Sequence, residues 1–198
     1  MEVTIIVFDG FDELDAIGPY EVFANAEREG ADLSVDLRSL EDRDRVTASH
    51  GLRIEPDGRL DAADPDLVVV PGGGWNDRDD AGAWAEAERG DLPRAVASLH
   101  EAGTRVASVC TGAMILARAG LTTDRPAITH HGAVEDLRAS GAEVVDARVV
   151  DDGDLVTAGG VTSGIDLALH IVSQEFGEDL ATSIADQMEY QPRDSVWT

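Results

Sequence analysis

Residues 104–119, TRVASVCTGAMILARA, contain the segment on which the fold assignment depends. Residues 104–109 predict a buried strand because valines alternate there with small residues. An apolar helix is predicted directly after it, over residues 111–119, and Gly120 ends that helix. No spacer separates the two elements, so Cys110 falls in a tight strand-to-helix turn.

The same alternation of strand and helix patterns extends outward along the chain. Strands are predicted over 3–8, 32–40, 66–70 and 126–130, with short strands or a hairpin in 44–60 and two strands within 143–157. Helices are predicted over 12–29 (with a kink or restart at residues 18–19), 91–102, 132–140, 162–176 and 178–189. No element is predicted for the acidic segment 75–90. This order predicts an α/β fold with a flavodoxin-like, doubly wound, mostly parallel sheet and helices on both faces. Because no repeat or linker interrupts the pattern, residues 1–198 are predicted to form a single domain.

The composition is strongly acidic. The chain has 40 Asp and Glu residues against 15 basic residues, all of them Arg, and its formal net charge is −25. A surface of this charge repels polyanions, which disfavours nucleic-acid binding. Since salt screens the mutual repulsion of surface carboxylates, we expect a halophilic source.

The remaining sequence-wide features concern localisation and the single cysteine. No apolar run approaches the length of about 18 residues that a membrane helix needs, and no basic leader precedes the first strand, so a cytoplasmic protein without membrane contacts is expected. A single Cys excludes an intramolecular disulfide and any multi-cysteine metal site. A lone Cys is by default a small buried apolar residue, and only its position in the chain indicates a function.

Three segments whose residues could take part in binding or catalysis follow predicted strands. Parallel strands bring such segments together at the carboxyl edge of the sheet. They are residues 9–15, 71–74 and 110–112. A thiol at the start of a helix lies over free N–H groups, which can lower its pKa into a range of roughly 3.5–7.5. The backbone N–H groups of Gly73 and Gly74 are candidate oxyanion donors. The spacing matches neither a P-loop nor a dinucleotide fingerprint.

Several of these motifs together resemble the ThiJ/PfpI superfamily, within the class I glutamine amidotransferase-like group, and above all its isonitrile hydratase subgroup. The resemblance rests on residues 14–23 (LDAIGPYEVF), 71–74 (PGGG) and 108–113 (SVCTGA), supported by 129–130 and 149–169. It implies a flavodoxin-like sandwich, a homodimer, a small-molecule substrate and an active site without metal or cofactor.

The resemblance also assigns roles to individual residues. It implies that Cys110 is the nucleophile and that Asp15 is the acid that hydrogen-bonds the thiol or a catalytic water. Thr111 follows the nucleophile, where its N–H and hydroxyl orient water or a developing anion, although Thr is also a common helix cap. His130 lies where other members place a histidine beside the cysteine; His131 follows it, and the sequence does not decide which imidazole faces the pocket. Trp75 and Trp84 line either a lid over that pocket or a packing surface.

The leading functional hypothesis is isonitrile hydration. The Cys110 thiolate attacks the terminal isonitrile carbon, Asp15 supplies a proton to form a thioimidate, and water then releases an N-substituted formamide. Two alternatives stay open. In one, the chain is a cofactor-free glyoxalase or deglycase acting on 2-oxoaldehydes, which a catalytic His130 favours. In the other, it is a non-enzymatic redox sensor or stress protein built on a low-pKa, oxidisable thiol. Regulators that join this domain to a DNA-binding module are disfavoured by the charge.

Overall fold

The computed structural model of the chain describes residues 1–193 and 196–198, so the predicted 1–198 domain includes two positions outside the described residues. Its strands are β1 (Glu2–Ile6), β2 (Ser34–Ser39), β3 (Val46–Thr47), β4 (Arg53–Ile54), β5 (Gly58–Arg59), β6 (Leu67–Val70), β7 (Arg105–Val109), β8 (Pro126–Ala127), β9 (Glu143–Val144), β10 (Val149–Asp151), β11 (Leu155–Ala158) and β12 (Val196–Trp197). Its α-helices are α1 (Glu13–Arg28), α2 (Ala83–Arg89), α3 (Asp91–Glu101), α4 (Gly112–Arg118), α5 (Val134–Ala139), α6 (Ser163–Phe176) and α7 (Glu178–Gln187).

The central sheet has eight strands in the order β12-β10-β11-β7-β6-β1-β2-β5. Within it, β2, β1, β6, β7 and β11 are mutually parallel, and only the β10–β11 pairing is antiparallel. The parallel set follows the flavodoxin strand order, in which the direction of winding reverses between β1 and its neighbour β6. The predicted fold class is confirmed.

The reversal of winding places helices on both faces of the sheet. The connections from β1 to β2 and from β6 to β7 run in opposite directions along the sheet, and right-handed crossovers then put their helices on opposite faces. Helix α1 packs against α6 and α7, whereas α2, α3 and α4 pack against one another. Every residue of β6 is buried between these layers, as expected for a central parallel strand.

Three local differences from the predicted elements have simple physical reasons. Helix α2 was not predicted because its segment is acidic, yet Ala83, Ala85 and Ala87 are buried, and the helix packs on α4. Strand β9 does not belong to the hairpin of β10 and β11; it pairs with β8 in a separate small sheet. Helix α1 continues through Pro19 without a restart. In the described part of the chain, no helix combines the length and apolarity needed to cross a membrane.

The first prediction concerns the contact between β6 and the start of α4. A Cβ atom at Gly112 would lie 2.1 Å from the carbonyl oxygen of Val70. In an unobstructed helix, Gly→Ala stabilises by up to about 1 kcal/mol. Here we expect Gly112→Ala to lower the free energy of unfolding by about 1–3 kcal/mol, measured by urea unfolding at fixed salt.

Gly159→Ala is the matched control, because the nearest atom to its added Cβ is 3.4 Å away. We expect that change to shift the free energy of unfolding by less than about 1 kcal/mol. A Gly112→Ala protein as stable as the wild type would show that the β6–α4 contact tolerates a side chain.

Candidate active site

Cys110 occupies a strained turn at the carboxyl end of β7. Its φ of 56° lies in the left-handed region that non-glycine residues seldom adopt. Its N–H donates to the carbonyl oxygens of Ala158 (3.1 Å) and Gly159 (2.9 Å), and its own carbonyl accepts from the Thr129 hydroxyl at 2.9 Å. These bonds to neighbouring segments hold a conformation that would otherwise cost about 1–3 kcal/mol. Strain of this kind is typical of functional positions.

The Asp15 side chain lies fully buried beside Cys110. Its Oδ2 accepts a hydrogen bond from the Gly72 N–H at 2.9 Å, and the carboxyl also interacts with the Cys110 thiol. No described group meets Asp15 Oδ1 at ordinary hydrogen-bond geometry. Burial, and then the charge of Asp12, raise the Asp15 pKa well above its usual value, outweighing the bonds from Gly72 and Cys110. The structure thus brings together the two residues that the sequence motifs paired.

The protonation state of Cys110 differs from the sequence expectation. Burial, followed by the charge of Asp15, raises the pKa of the thiol to about 12. The N–H groups of Val161 and Thr111 point at the sulfur and oppose this shift, but they do not overcome it. Helix α4 is short and the thiol is only 6% exposed, so desolvation outweighs the helix terminus. The direction of this pKa shift is thus opposite to the lowering that a position at a helix start suggests, and it favours the neutral thiol.

In the glycine turn after β6 (residues 72–74), two of the three backbone N–H groups hold other residues of the site in place. The Gly72 N–H binds Asp15, and the Gly73 N–H donates to Thr111 Oγ1 at 2.9 Å. Gly73 is thus already engaged and does not serve as the predicted oxyanion donor. Among the described residues, Gly74 N–H has no acceptor, so Gly74 stays a candidate donor. Thr111 is the N-cap residue of α4, but its side chain makes no capping hydrogen bond to the helix; its hydroxyl accepts from the Gly73 N–H, and its own N–H faces the sulfur.

An open cleft of about 240 Å³ leads to Cys110. His130 lines it and His131 does not, which answers the question that the sequence left open. His130 Nδ1 accepts the Gly132 N–H at 3.1 Å, so the neutral ring carries its proton on Nε2. Burial and then His131, whose ring centre is 4.1 Å away, lower the His130 pKa. His130 is therefore a neutral imidazole at pH 7.

Three further residues on the cleft wall, Ser49, His50 and Val161, could not be found from sequence patterns. Ser49 and His50 come from a segment without clear periodicity, and His50 Nδ1 lies 2.7 Å from Glu13 Oε2. Burial tends to raise the Glu13 pKa, but hydrogen bonds from His50 and backbone N–H groups lower it to about 2. Val161 has a φ of 37°, and only the preceding glycine pair signals its unusual backbone.

Trp75, which the sequence analysis assigns to either a lid or a packing surface, forms one wall of the cleft. Its ring packs edge-on against Trp84 with centres 5.0 Å apart, and its Nε1 donates to Asp136 at 2.8 Å. Trp75 is thus a fixed, buried wall, and Trp84 packs behind it. Within the described residues, no group of three His, Cys, Asp or Glu side chains is arranged to hold a metal ion.

A second prediction follows from the raised thiol pKa. The rate of Cys110 alkylation by iodoacetamide should keep rising above pH 8.5, the ordinary midpoint of a cysteine thiol. Asp15→Asn removes a charge that raises this pKa and should lower the midpoint by about one unit or more. Mass spectrometry of the alkylated protein over a pH series measures both effects. Asp186→Asn, an exposed change, is the control, and a wild-type midpoint below about 8.5 would contradict the assignment.

A third prediction concerns the hydroxyl of Thr111. Thr111→Val keeps the shape but leaves the Gly73 N–H without its acceptor, so the free energy of unfolding should fall by about 1–3 kcal/mol. Thr111→Ser keeps the acceptor and should lie closer to the wild type. Urea unfolding of the three proteins measures the difference. A Thr111→Val protein as stable as the wild type, or a Thr111→Ser protein that loses more stability than Thr111→Val, would show that the Gly73 N–H does not depend on this hydroxyl.

Comparison with known proteins shows the family of this chain. The DJ-1/PfpI family matches residues 1–174. The chain is 35% identical to an isonitrile hydratase of Pseudomonas putida over 97% of this chain and 79% of that one, and 32% identical to a deglycase of Thermococcus kodakarensis over 80% and 89%. A ThiJ/PfpI family protein from Pseudomonas syringae superposes with a TM-score of 0.85 at 27% identity, covering 97% of this chain and 76% of that one. The chain therefore belongs to the DJ-1/PfpI family.

Proposed function

We propose that the chain is a cofactor-free isonitrile hydratase that uses Cys110 to convert an isonitrile and water into an N-substituted formamide. The observation that carries the proposal is the buried pair of Asp15 and Cys110, in which both pKa values are raised. An acid and a nucleophile that are both protonated suit an isonitrile, because its terminal carbon must gain a proton when it forms the bond to sulfur. The similarity to the Pseudomonas putida hydratase supports this choice of substrate.

The first step is addition of the thiol to the terminal isonitrile carbon. A bond forms between that carbon and Cys110 Sγ, and the carbon takes a proton from Asp15. Asp15 in turn receives the proton that leaves the thiol, so that one proton passes from sulfur to carbon. The product is a thioimidate with a neutral nitrogen. The Thr111 and Val161 N–H groups stabilise the sulfur while it carries negative charge.

The second step is hydrolysis of the thioimidate. Water adds to the same carbon, the nitrogen gains a proton, and the carbon–sulfur bond breaks to release the formamide and restore the thiol. Asp15 exchanges the protons between water, nitrogen and sulfur. The free N–H of Gly74 is a candidate donor to the oxygen that develops on carbon. His130, neutral on the cleft wall, orients the water.

A glyoxalase or deglycase activity is the second candidate. His130 lines the cleft with a lowered pKa, as a base for moving a proton on a 2-oxoaldehyde adduct would require. The similarity to the Thermococcus kodakarensis deglycase supports this alternative. The redox-sensor alternative is weaker, because peroxide oxidises the thiolate and the raised pKa keeps Cys110 protonated. We also propose, from the family resemblance, a homodimer and an active site without metal.

The fourth prediction is the test of this function. Purified protein in high salt should convert an aryl isonitrile to its formamide, and Cys110→Ala should abolish this conversion. Asp15→Asn should lower kcat/KM by about 10²–10⁴-fold, the usual contribution of an acid–base group. Because Asp15 acts while protonated, kcat/KM should fall as the pH rises through its raised pKa. Formamide is measured by chromatography.

Methylglyoxal is assayed in parallel with the same variants. Lactate formation that depends on Cys110 and His130, without isonitrile turnover, would replace the hydratase with a glyoxalase. Inactivity on both substrates, with Cys110 readily oxidised by peroxide, would favour the sensor.

A further inference from the structure

Three carboxylates line the mouth of the cleft above Cys110. Asp12 is half-buried at the start of α1, where its Oδ1 accepts the Leu14 N–H at 3.2 Å. Asp77 and Asp79, which also line the cleft, are exposed. Within the described residues, none of the three forms a salt bridge. Their charges are therefore available to whatever enters the cleft.

Among the described residues, no arginine lines the cleft to balance these charges. Arg78 lies between Asp77 and Asp79 in the chain, but its guanidinium stacks over Trp84 at 4.2 Å from the ring centre. Arg43 is held by Asp9 at 2.5 Å. These two guanidinium groups are thus held by residues outside the cleft lining.

The two histidines of the cleft do not neutralise it either. The His50 pKa is raised by Glu13, but the Glu13 carboxylate that pairs with the imidazolium cancels its charge. The His130 pKa is lowered, so His130 is neutral at pH 7. The wall of the cleft therefore carries a net negative charge.

This negative field reaches the reacting groups. The Asp12 charge contributes to the raised pKa of Asp15 and of Cys110 at the bottom of the cleft. Asp15 Oδ1, buried beside the thiol, has no conventional hydrogen-bond partner among the described residues. The acidic wall therefore belongs to the cleft that leads to Cys110 and its buried neighbour Asp15, in contrast to the scattered acids elsewhere on the surface.

We propose that Asp12, Asp77 and Asp79 select the substrate by charge, so that the cleft admits molecules with a cationic or neutral substituent and rejects those with a carboxylate or sulfonate. The inference rests on the proposed function only for the identity of the reacting group. Clefts lined by charges of one sign concentrate the opposite ion, with effects on association rates of about 10–10³-fold. A substrate with an ammonium-bearing side chain fits this wall best.

The fifth prediction tests the selection without relying on catalysis. Cys110, the single thiol in the chain, is treated with a cationic (trimethylammonium-ethyl) or an anionic (sulfonato-ethyl) methanethiosulfonate, each of which forms a mixed disulfide and releases methanesulfinate. Rates are divided by those of each reagent with 2-mercaptoethanol. At the lowest salt that keeps the full chain folded, we expect the cationic reagent to react at least about tenfold faster.

The variant that removes the selection is the triple change Asp12→Asn, Asp77→Asn and Asp79→Asn. Asn caps a helix as well as Asp does, so α1 keeps its start. The rate ratio should fall below about threefold, because the local field is gone. The matched control carries Glu27→Gln, Glu101→Gln and Asp186→Asn, three exposed acids outside the cleft, and should keep the wild-type ratio.

Two results would overturn the proposal. One is an equal rate for the two reagents in the wild type. The other is an equal loss of the ratio in both triple variants, which would assign the effect to the general surface charge.

A second arm uses aryl isonitriles with a para trimethylammonium, tert-butyl or carboxylate group, of which the first two have nearly the same shape. The cation should show a kcat/KM at least about tenfold above the carboxylate, and the cleft variant should remove this difference. A faster reaction of the cationic thiosulfonate, without turnover of any isonitrile, would refute the hydratase activity and leave the proposed charge selection standing. Turnover of all three isonitriles at equal kcat/KM would support the hydratase activity and refute the proposed charge selection.

Discussion

At the carboxyl edge of the sheet, the backbone leaving β6 and the backbone entering α4 lie in direct contact. A Cβ at Gly72 would lie 2.5 Å from the Thr111 nitrogen, and one at Gly112 would lie 2.1 Å from the Val70 oxygen. Glycine is required at both positions because any side chain would force the segments apart. This contact, together with the bonds from β11, fixes the left-handed backbone of Cys110. The contact between β6 and α4 thus sets the positions of the thiol, the glycine turn and the cleft.

The same contact lets the protein bury two ionisable groups next to each other. Asp15 and Cys110 lose most of their hydration, so the neutral form of each is favoured. A buried carboxyl with an unsatisfied oxygen destabilises the fold, and the parallel strands around it supply the compensating apolar burial. Both shifts favour the protonated forms, which the proposed transfer of a proton to the substrate requires.

Backbone donors around the site divide into two groups. Those of Gly72 and Gly73 are used to hold Asp15 and Thr111, whereas those of Thr111 and Val161 point at the sulfur and that of Gly74 is free. The first group builds the frame, and the second is available to a reacting molecule. Around this frame the acidic composition has a local consequence, since Asp12, Asp77 and Asp79 line the cleft and no described arginine does.

Much of this protein could be predicted from local patterns in its sequence. Alternation of strands and helices determined the α/β fold class, the lack of a spacer determined the turn at Cys110, and the family motifs marked Asp15 as its partner. Tertiary structure alone decided the direction of the thiol pKa, the engagement of Gly73 and the choice of His130 over His131. It also brought Val161 and the acidic wall to the cleft. Solvation, hydrogen-bond partners and electric fields depend on segments that are distant in sequence, whereas periodicity and turn chemistry are properties of neighbouring residues.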